Sequence, residues 1–175
     1  MGILKKPTAW EAVYSVAMAL ACLISYAATT ELSKVAAQWH ADPIAGLWAA
    51  VSTAFVFRDT RQRSLNAGIG RLAATCVSFS LCLPYLWLFP ASLAGMAILL
   101  ALGTLLMMQL NRRDDIVTTA VTTVVVMVVA MKSPTDAWKQ PILRLVETVI
   151  GVGIGMGGKW LASFAFYRTA KQPIQ

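Results

Sequence analysis

The stretch Ile116–Met131, IVTTAVTTVVVMVVAM, contains no charged residue, and it is one of several such runs in the chain. Each is separated from the next only by a short cluster of charges, prolines or polar residues. Of the 175 residues, 58% are hydrophobic and 13% charged, and the mean hydropathy is +0.65. That leaves too few charges to clothe a soluble domain. Long apolar runs broken by charged clusters instead predict an all-α, polytopic membrane protein, with residues 1–175 forming a single transmembrane domain. Helices are the open-ended structure whose backbone is satisfied within lipid.

Six spans are expected, near 9–30, 43–57, 67–89, 91–110, 115–131 and 141–166. The boundary between the third and fourth, LPYLWLFPAS, carries two prolines and no charge and predicts a tight hairpin at the membrane surface. Tyr85 and Trp87 there suit an interfacial aromatic belt. Lys5 and Lys6 precede an apolar run longer than the core of a signal peptide, so it is read as a first, uncleaved span. One side collects Lys5, Lys6, Arg58, Arg61, Arg63, Arg71, Arg112, Arg113, Arg168 and Lys171, with Lys159 nearby. The other has Lys34, Lys132, Lys139 and Arg144. The positive-inside rule then places both termini in the cytoplasm.

The formal charge of +7 does not point to nucleic acid, because the basic residues sit at the ends of apolar runs and form no patch. Cys22, Cys76 and Cys82 lie inside apolar runs and read as small buried thiols. His40 and Asp42 fall in an outer loop after Trp39, without the partners a metal site needs. There is no nucleophile elbow, phosphate loop, paired-His motif or redox CxxC. An enzyme, a cofactor and a metal are therefore not expected.

The second and fifth spans hold only fifteen or sixteen residues; at ~1.5 Å per residue they reach roughly 23 Å, short of a ~30 Å core. They occupy the same place in each half, a pattern that marks binding regions in transporters with internal repeats. The halves share a second echo: RLAAT (Arg71–Thr75) opens the third span and RLVET (Arg144–Thr148) the sixth. Val51-Ser52-Thr53 and Val121-Thr122-Thr123 lie at similar distances upstream. With three spans per half the two copies would be inverted, a 3+3 repeat. Chance is the alternative, since the matched strings are short.

Arg144 and Glu147 stand i,i+3 and share a helix face. A charge at the centre of a span costs on the order of 2.5–3.5 kcal/mol, so an intramembrane carboxylate is a functional candidate. Two readings stay open for Glu147: a proton-coupling group, or half of a packing salt bridge with Arg144. Arg71 and Arg144 are candidates to bind an anionic substrate, since a guanidinium meets a carboxylate in a planar fork. Glu11 sits in the first turn of span one, where a helix N-terminus favours it. In span six, Gly151/Gly155 and Gly153/Gly157 are GxxxG pairs that bring helix backbones close, within one chain or between copies. Thr118/Thr122 and Thr119/Thr123 set hydroxyls along span five, either bonded back to their own helix or lining a pathway.

Four pieces stand in order: GLWAAVSTAFVF, RQRSLNAGIGRLAATCVSF, NRRDDIVTTAVTTVVVMVV and WKQPILRLVETVIGVGIG. Together they resemble the membrane half of the fusaric acid resistance and aromatic acid exporter family, to which aluminium-activated malate channels look related. Trp48, Arg63, Arg71, Thr75, Arg144, Glu147, Thr148 and Gly151 match its motifs, and Ser78 departs where Gly is usual. Typical members carry two such halves plus cytoplasmic domains, whereas this chain has one six-span half. The resemblance implies a proton-driven exporter of aromatic or other organic carboxylates in the bacterial inner membrane, assembled as a homodimer or higher homo-oligomer. Arg71, Arg144, Trp48 and Thr122 would bind substrate, Glu147 would couple protons, and Gly151 and Gly155 would pack helices. The alternatives are an organic-anion channel, or a structural or accessory membrane subunit that serves a partner protein.

Overall fold

The structure, a computed structural model, describes residues 8–35 and 45–170. Lys5, Lys6, Trp39, His40, Asp42 and Lys171, which the sequence places at termini or in a loop, lie outside the described residues. Six α-helices make up the described chain: α1 Ala9–Val35, α2 Ala45–Val56, α3 Arg61–Leu88, α4 Leu93–Gln109, α5 Ile116–Lys132 and α6 Lys139–Ala170. No strand occurs among the described residues.

The helix starts follow from their sequence. At α1, Thr8 and Glu11 form a capping box: the Thr8 N–H donates to Glu11 Oε2 (2.6 Å) and the Glu11 N–H to Thr8 Oγ1 (3.3 Å). Thr60 caps α3 by accepting from Arg63 N at 3.2 Å, and Ser92 caps α4 by accepting from Gly95 N at 3.1 Å. Between α3 and α4 the chain turns within Phe89–Ser92, and the Tyr85 hydroxyl lies 3.1 Å from Ser92 Oγ. Trp87, 81% exposed, stands at that turn.

Among the described residues, four helical segments are long and apolar enough to cross a membrane: Trp10–Lys34, Arg61–Leu88, Arg113–Lys132 and Lys139–Phe164. Gly46–Val56 and Leu93–Gln109 are shorter apolar helices. The second span is short, as expected, whereas the fifth is longer than expected: α4 and α5 are both 17-residue α-helices. A 3-10 turn at Arg113–Asp115 runs directly into α5 and lengthens it, so α2 and α4 are the short ones.

Helix α2, with 12 residues, reaches only ~18 Å, and its final carbonyls are taken up inside the protein. The Ser64 hydroxyl donates to the Val56 carbonyl and the Tyr14 hydroxyl to the Phe57 carbonyl, both at 2.7 Å. Packing is organised around α3 and α6, which touch each other; α2 lies against α6 and α1, and α5 against α3 and α4. The α3–α4–α5 side holds an apolar cluster of Cys82, Leu86, Leu99, Val126, Met127 and Ala130. The α1–α2–α6 side is built on small residues, Ser25, Ala49, Ser52 and Thr53 being fully buried. Large apolar side chains point outward instead, among them Val16, Leu20, Leu23 and Ile24 on α1 and Leu93, Ile98 and Leu105 on α4. Contiguous apolar surface of this kind is a liability in water and is solvated in lipid.

Candidate functional site

The sequence places Arg71 four residues before Thr75 on α3 and Arg144 four before Thr148 on α6. Where the two helices cross, Thr75 Oγ1 and Thr148 Oγ1 are 3.5 Å apart. The arginines therefore lie on either side of one crossing point, and Trp48 of α2 stands between them. Its ring centre is 5.1 Å from the Arg71 guanidinium carbon and 5.8 Å from that of Arg144. All three are buried, at 7%, 3% and 1% exposure for Trp48, Arg71 and Arg144.

The arginines differ in how they are satisfied. Arg144 Nη1 donates to Glu147 Oε2 at 2.6 Å, one helical turn away, with both side chains enclosed. Arg71 has no carboxylate partner among the described residues, and its Nε and Nη2 are buried without an acceptor. It packs against the Trp48 ring and, at 5.0 Å, the Phe55 ring. The indole N–H of Trp48 is likewise buried without an acceptor. Two cation–π contacts contribute about 1–4 kcal/mol together, comparable to the ~2.5–3.5 kcal/mol cost of a charge in a span. They leave the guanidinium N–H groups unmatched. Around Arg71 and Trp48 the buried donors outnumber the acceptors among the described residues, and an anion is a ligand that corrects that imbalance.

Arg71 also lines a cavity of about 620 Å³ with Phe55, Arg58, Arg112, Asp115 and Thr118. Arg112 Nε holds Asp115 Oδ2 at 2.8 Å. The Asp115 carboxylate is seated against Gly70, where an added Cβ would meet it unless the carboxylate moved. The cavity thus runs from the α2–α3 and α4–α5 connections inward to Arg71.

Of the other residues the sequence singles out, Thr122 is buried on α5 with its hydroxyl donating to the Thr118 carbonyl at 2.8 Å, so that hydroxyl serves its own helix. Gly151 and Gly155 face α2: a Cβ at Gly151 would strike the Ala49 carbonyl, and one at Gly155 would lie 3.0 Å from the Thr53 carbonyl. Thr53 Oγ1 donates to the Gly151 carbonyl at 2.9 Å, across the gap that the glycine keeps narrow. Gly153 and Gly157 have open space beside them. Phe55 and the Arg112–Asp115 pair were missed from the sequence. The run NRRDD was visible there, but nothing in it tells that Asp115 folds back onto α3. Among the described residues no group of three or more His, Cys, Asp or Glu could hold a metal.

No curated protein and no solved structure matches the chain. The sequence does match the family described as fusaric acid resistance protein-like over residues 20–157, a stretch that includes the α2, α3 and α5 segments and both Arg-Leu-x-x-Thr motifs. With its apolar helices this makes the chain a helical, multi-pass membrane protein of a family associated with transport and resistance. It is a member of the fusaric acid resistance protein-like family.

Proposed function

We propose that the chain moves organic anions, aromatic carboxylates foremost, across the bacterial inner membrane as a proton-coupled exporter. Arg71 carries this reading: a buried guanidinium with two nitrogens lacking acceptors, stacked on two aromatic rings and opening onto a cavity. A planar carboxylate satisfies those N–H groups in a fork, and an attached aromatic ring suits the Trp48 and Phe55 faces. Arg144 serves the opposite end of the pathway, Trp48 bridges the two, and Glu147 accepts the coupled proton. Thr122 contributes by shaping α5, since its hydroxyl is engaged.

In this reading all six helices cross, as an inverted 3+3 repeat with both termini cytoplasmic, and copies of the chain assemble as a homodimer or higher homo-oligomer. The packing supports the repeat. Exchanging α1 with α4, α2 with α5 and α3 with α6 turns α2–α6 into α5–α3, α1–α2 into α4–α5, α1–α6 into α4–α3 and α2–α3 into α5–α6, all of which are packed pairs. The Thr53–Gly151 contact becomes Thr123–Ser78, where the two hydroxyls share a 3.0 Å bond, and Thr75–Thr148 maps onto itself.

The 2.6 Å Arg144–Glu147 bond favours a second reading of that pair, as a packing clamp in an accessory subunit without transport of its own. Flux into proteoliposomes separates the two. An aromatic carboxylate is followed with and without an imposed pH gradient, for the wild type, Arg71→Gln and Glu147→Gln. Proton-coupled transport predicts gradient-dependent flux that Glu147→Gln abolishes. Losing a charged hydrogen-bond partner should weaken apparent affinity about ten- to a hundredfold in Arg71→Gln. Gradient-independent flux equal in wild type and Glu147→Gln would mean a channel, and no flux from folded wild type would favour the accessory subunit.

A further inference from the structure

A second basic site lies at the end of the molecule where α3 begins and α6 nears its close. A groove of about 350 Å³ between these helices is lined by Arg61, Leu65, Met156, Gly157, Lys159 and Trp160. Lys159 is 2% exposed, and its Nζ has no hydrogen-bond partner among the described residues. Its Nζ lies 4.8, 5.0 and 5.8 Å from the ring centres of Trp10, Tyr14 and Phe57. Those rings hold the ammonium in place without supplying a counter-charge. Arg61 is exposed, and its guanidinium carbon lies 5.6 Å from the Trp160 ring centre. It is also the first residue of α3, a 28-residue helix whose N-terminal dipole end adds positive potential at the same place.

Among the described residues no carboxylate lines the groove; Asp59 lies outside it, exposed and 3.9 Å from Arg63, close enough to act on Lys159 from a distance. Two cations and a helix N-terminus therefore meet beside an apolar trough. The trough opens where Leu65, Trp160 and Leu161 are 42%, 60% and 65% exposed, on a face that lipid must cover. Gly157, with open space where a Cβ would stand, keeps the trough deep. The anion such a face meets is a phospholipid headgroup.

We infer that this groove binds an anionic phospholipid. Arg61 donates to the phosphate, Lys159 is a fixed positive charge in the wall, and an acyl chain lies along Leu65, Met156 and Gly157. The site is separate from Arg71 and independent of any transport reading.

The test is thermal unfolding of the detergent-purified full chain, titrated with phosphatidylglycerol, phosphatidylcholine or inorganic phosphate, for the wild type, Arg61→Gln and Lys159→Met. Phosphatidylglycerol should raise Tm in a saturable way that phosphatidylcholine and inorganic phosphate do not reproduce. Its half-saturating concentration should rise about fivefold in Arg61→Gln, the effect of one basic residue at an anionic surface. Arg61 is solvent-facing and makes no buried contact, so this variant reads binding even if Lys159→Met fails to fold. Equal shifts with both lipids, or an unchanged titration in Arg61→Gln, would overturn the inference. The same shift with inorganic phosphate would assign the site to a free anion, and a Tm that follows protein concentration but not lipid would assign the groove to a second copy. Either result would overturn the lipid.

Discussion

A guanidinium inside a membrane segment has to be matched by something, and Arg71 and Arg144 are matched differently. Arg144 spends its charge on Glu147, 2.6 Å away and as deeply buried. Removing one member of such a pair strands the other, which costs about 3–5 kcal/mol, whereas replacing both with apolar residues is often neutral or better. Glu147→Ala should therefore lower thermal stability sharply, and Arg144→Met with Glu147→Leu should restore most of it. A double variant as unstable as Glu147→Ala would refute the clamp. Arg71 has no such partner among the described residues, so Arg71→Met should leave the fold at least as stable while weakening anion binding, read as loss of ligand-induced Tm shift. Both arginines were legible as a repeated Arg-Leu-x-x-Thr string. Their different states were not. The i,i+3 spacing gives Arg144 its carboxylate, and the equivalent position beside Arg71 is Ala74, but the Trp48 and Phe55 rings come from another helix and leave no local trace.

At the scale of the helix, α6 shows how one sequence feature divides between two faces. The sequence offers two interleaved GxxxG pairs and no means of ranking them. In the fold, Gly151 and Gly155 meet the backbone of α2, while Gly153 and Gly157 face open space. Alternate glycines on a helix point in different directions, so only the rotation of α6 about its axis decides which pair packs. That rotation is set by tertiary contacts. Gly151→Ala should cost about 1–3 kcal/mol, since its methyl group meets the Ala49 carbonyl and cannot be accommodated without moving α2. Gly153→Ala should be neutral, or stabilising by up to about 1 kcal/mol through helix propensity alone. Reversible unfolding of the two variants in detergent decides it, and a larger loss at Gly153 would place the packed face wrongly. The helical class and the α3–α4 hairpin were legible in the apolar runs and their prolines. The relative lengths of α2, α4 and α5 were not, because hydropathy does not reveal that the Arg113–Asp115 turn joins α5 while α2 ends early on side-chain hydroxyls.

For the whole molecule, the question is whether a 12-residue α2 and a 17-residue α4 cross the membrane. At ~1.5 Å per residue they span about 18 and 26 Å, and only the second approaches a ~30 Å core. Arg58 and Arg112 line one cavity, so the α2–α3 and α4–α5 connections sit at the same end of the protein. Tyr14 bonds to Phe57, which brings the start of α1 to that end as well. If all six helices cross, Thr8, Asp59 and Asn111 face one side of the membrane, and Pro90 and Ser133 the other. Single cysteines at these five positions, in a chain with Cys22, Cys76 and Cys82 replaced, report this through labelling by an impermeant maleimide in sealed vesicles of known orientation. Asp59→Cys labelled from the side opposite Thr8→Cys would mean that α1 and α2 do not both cross, and the inverted repeat would fail there. Asn111→Cys labelled with Pro90→Cys would remove α4 as a crossing. If the labels divide as expected, α2 crosses despite its length. The bilayer must then thin, or water must enter, beside Trp48 and Arg71, where a charged substrate would need the shortest passage through hydrocarbon.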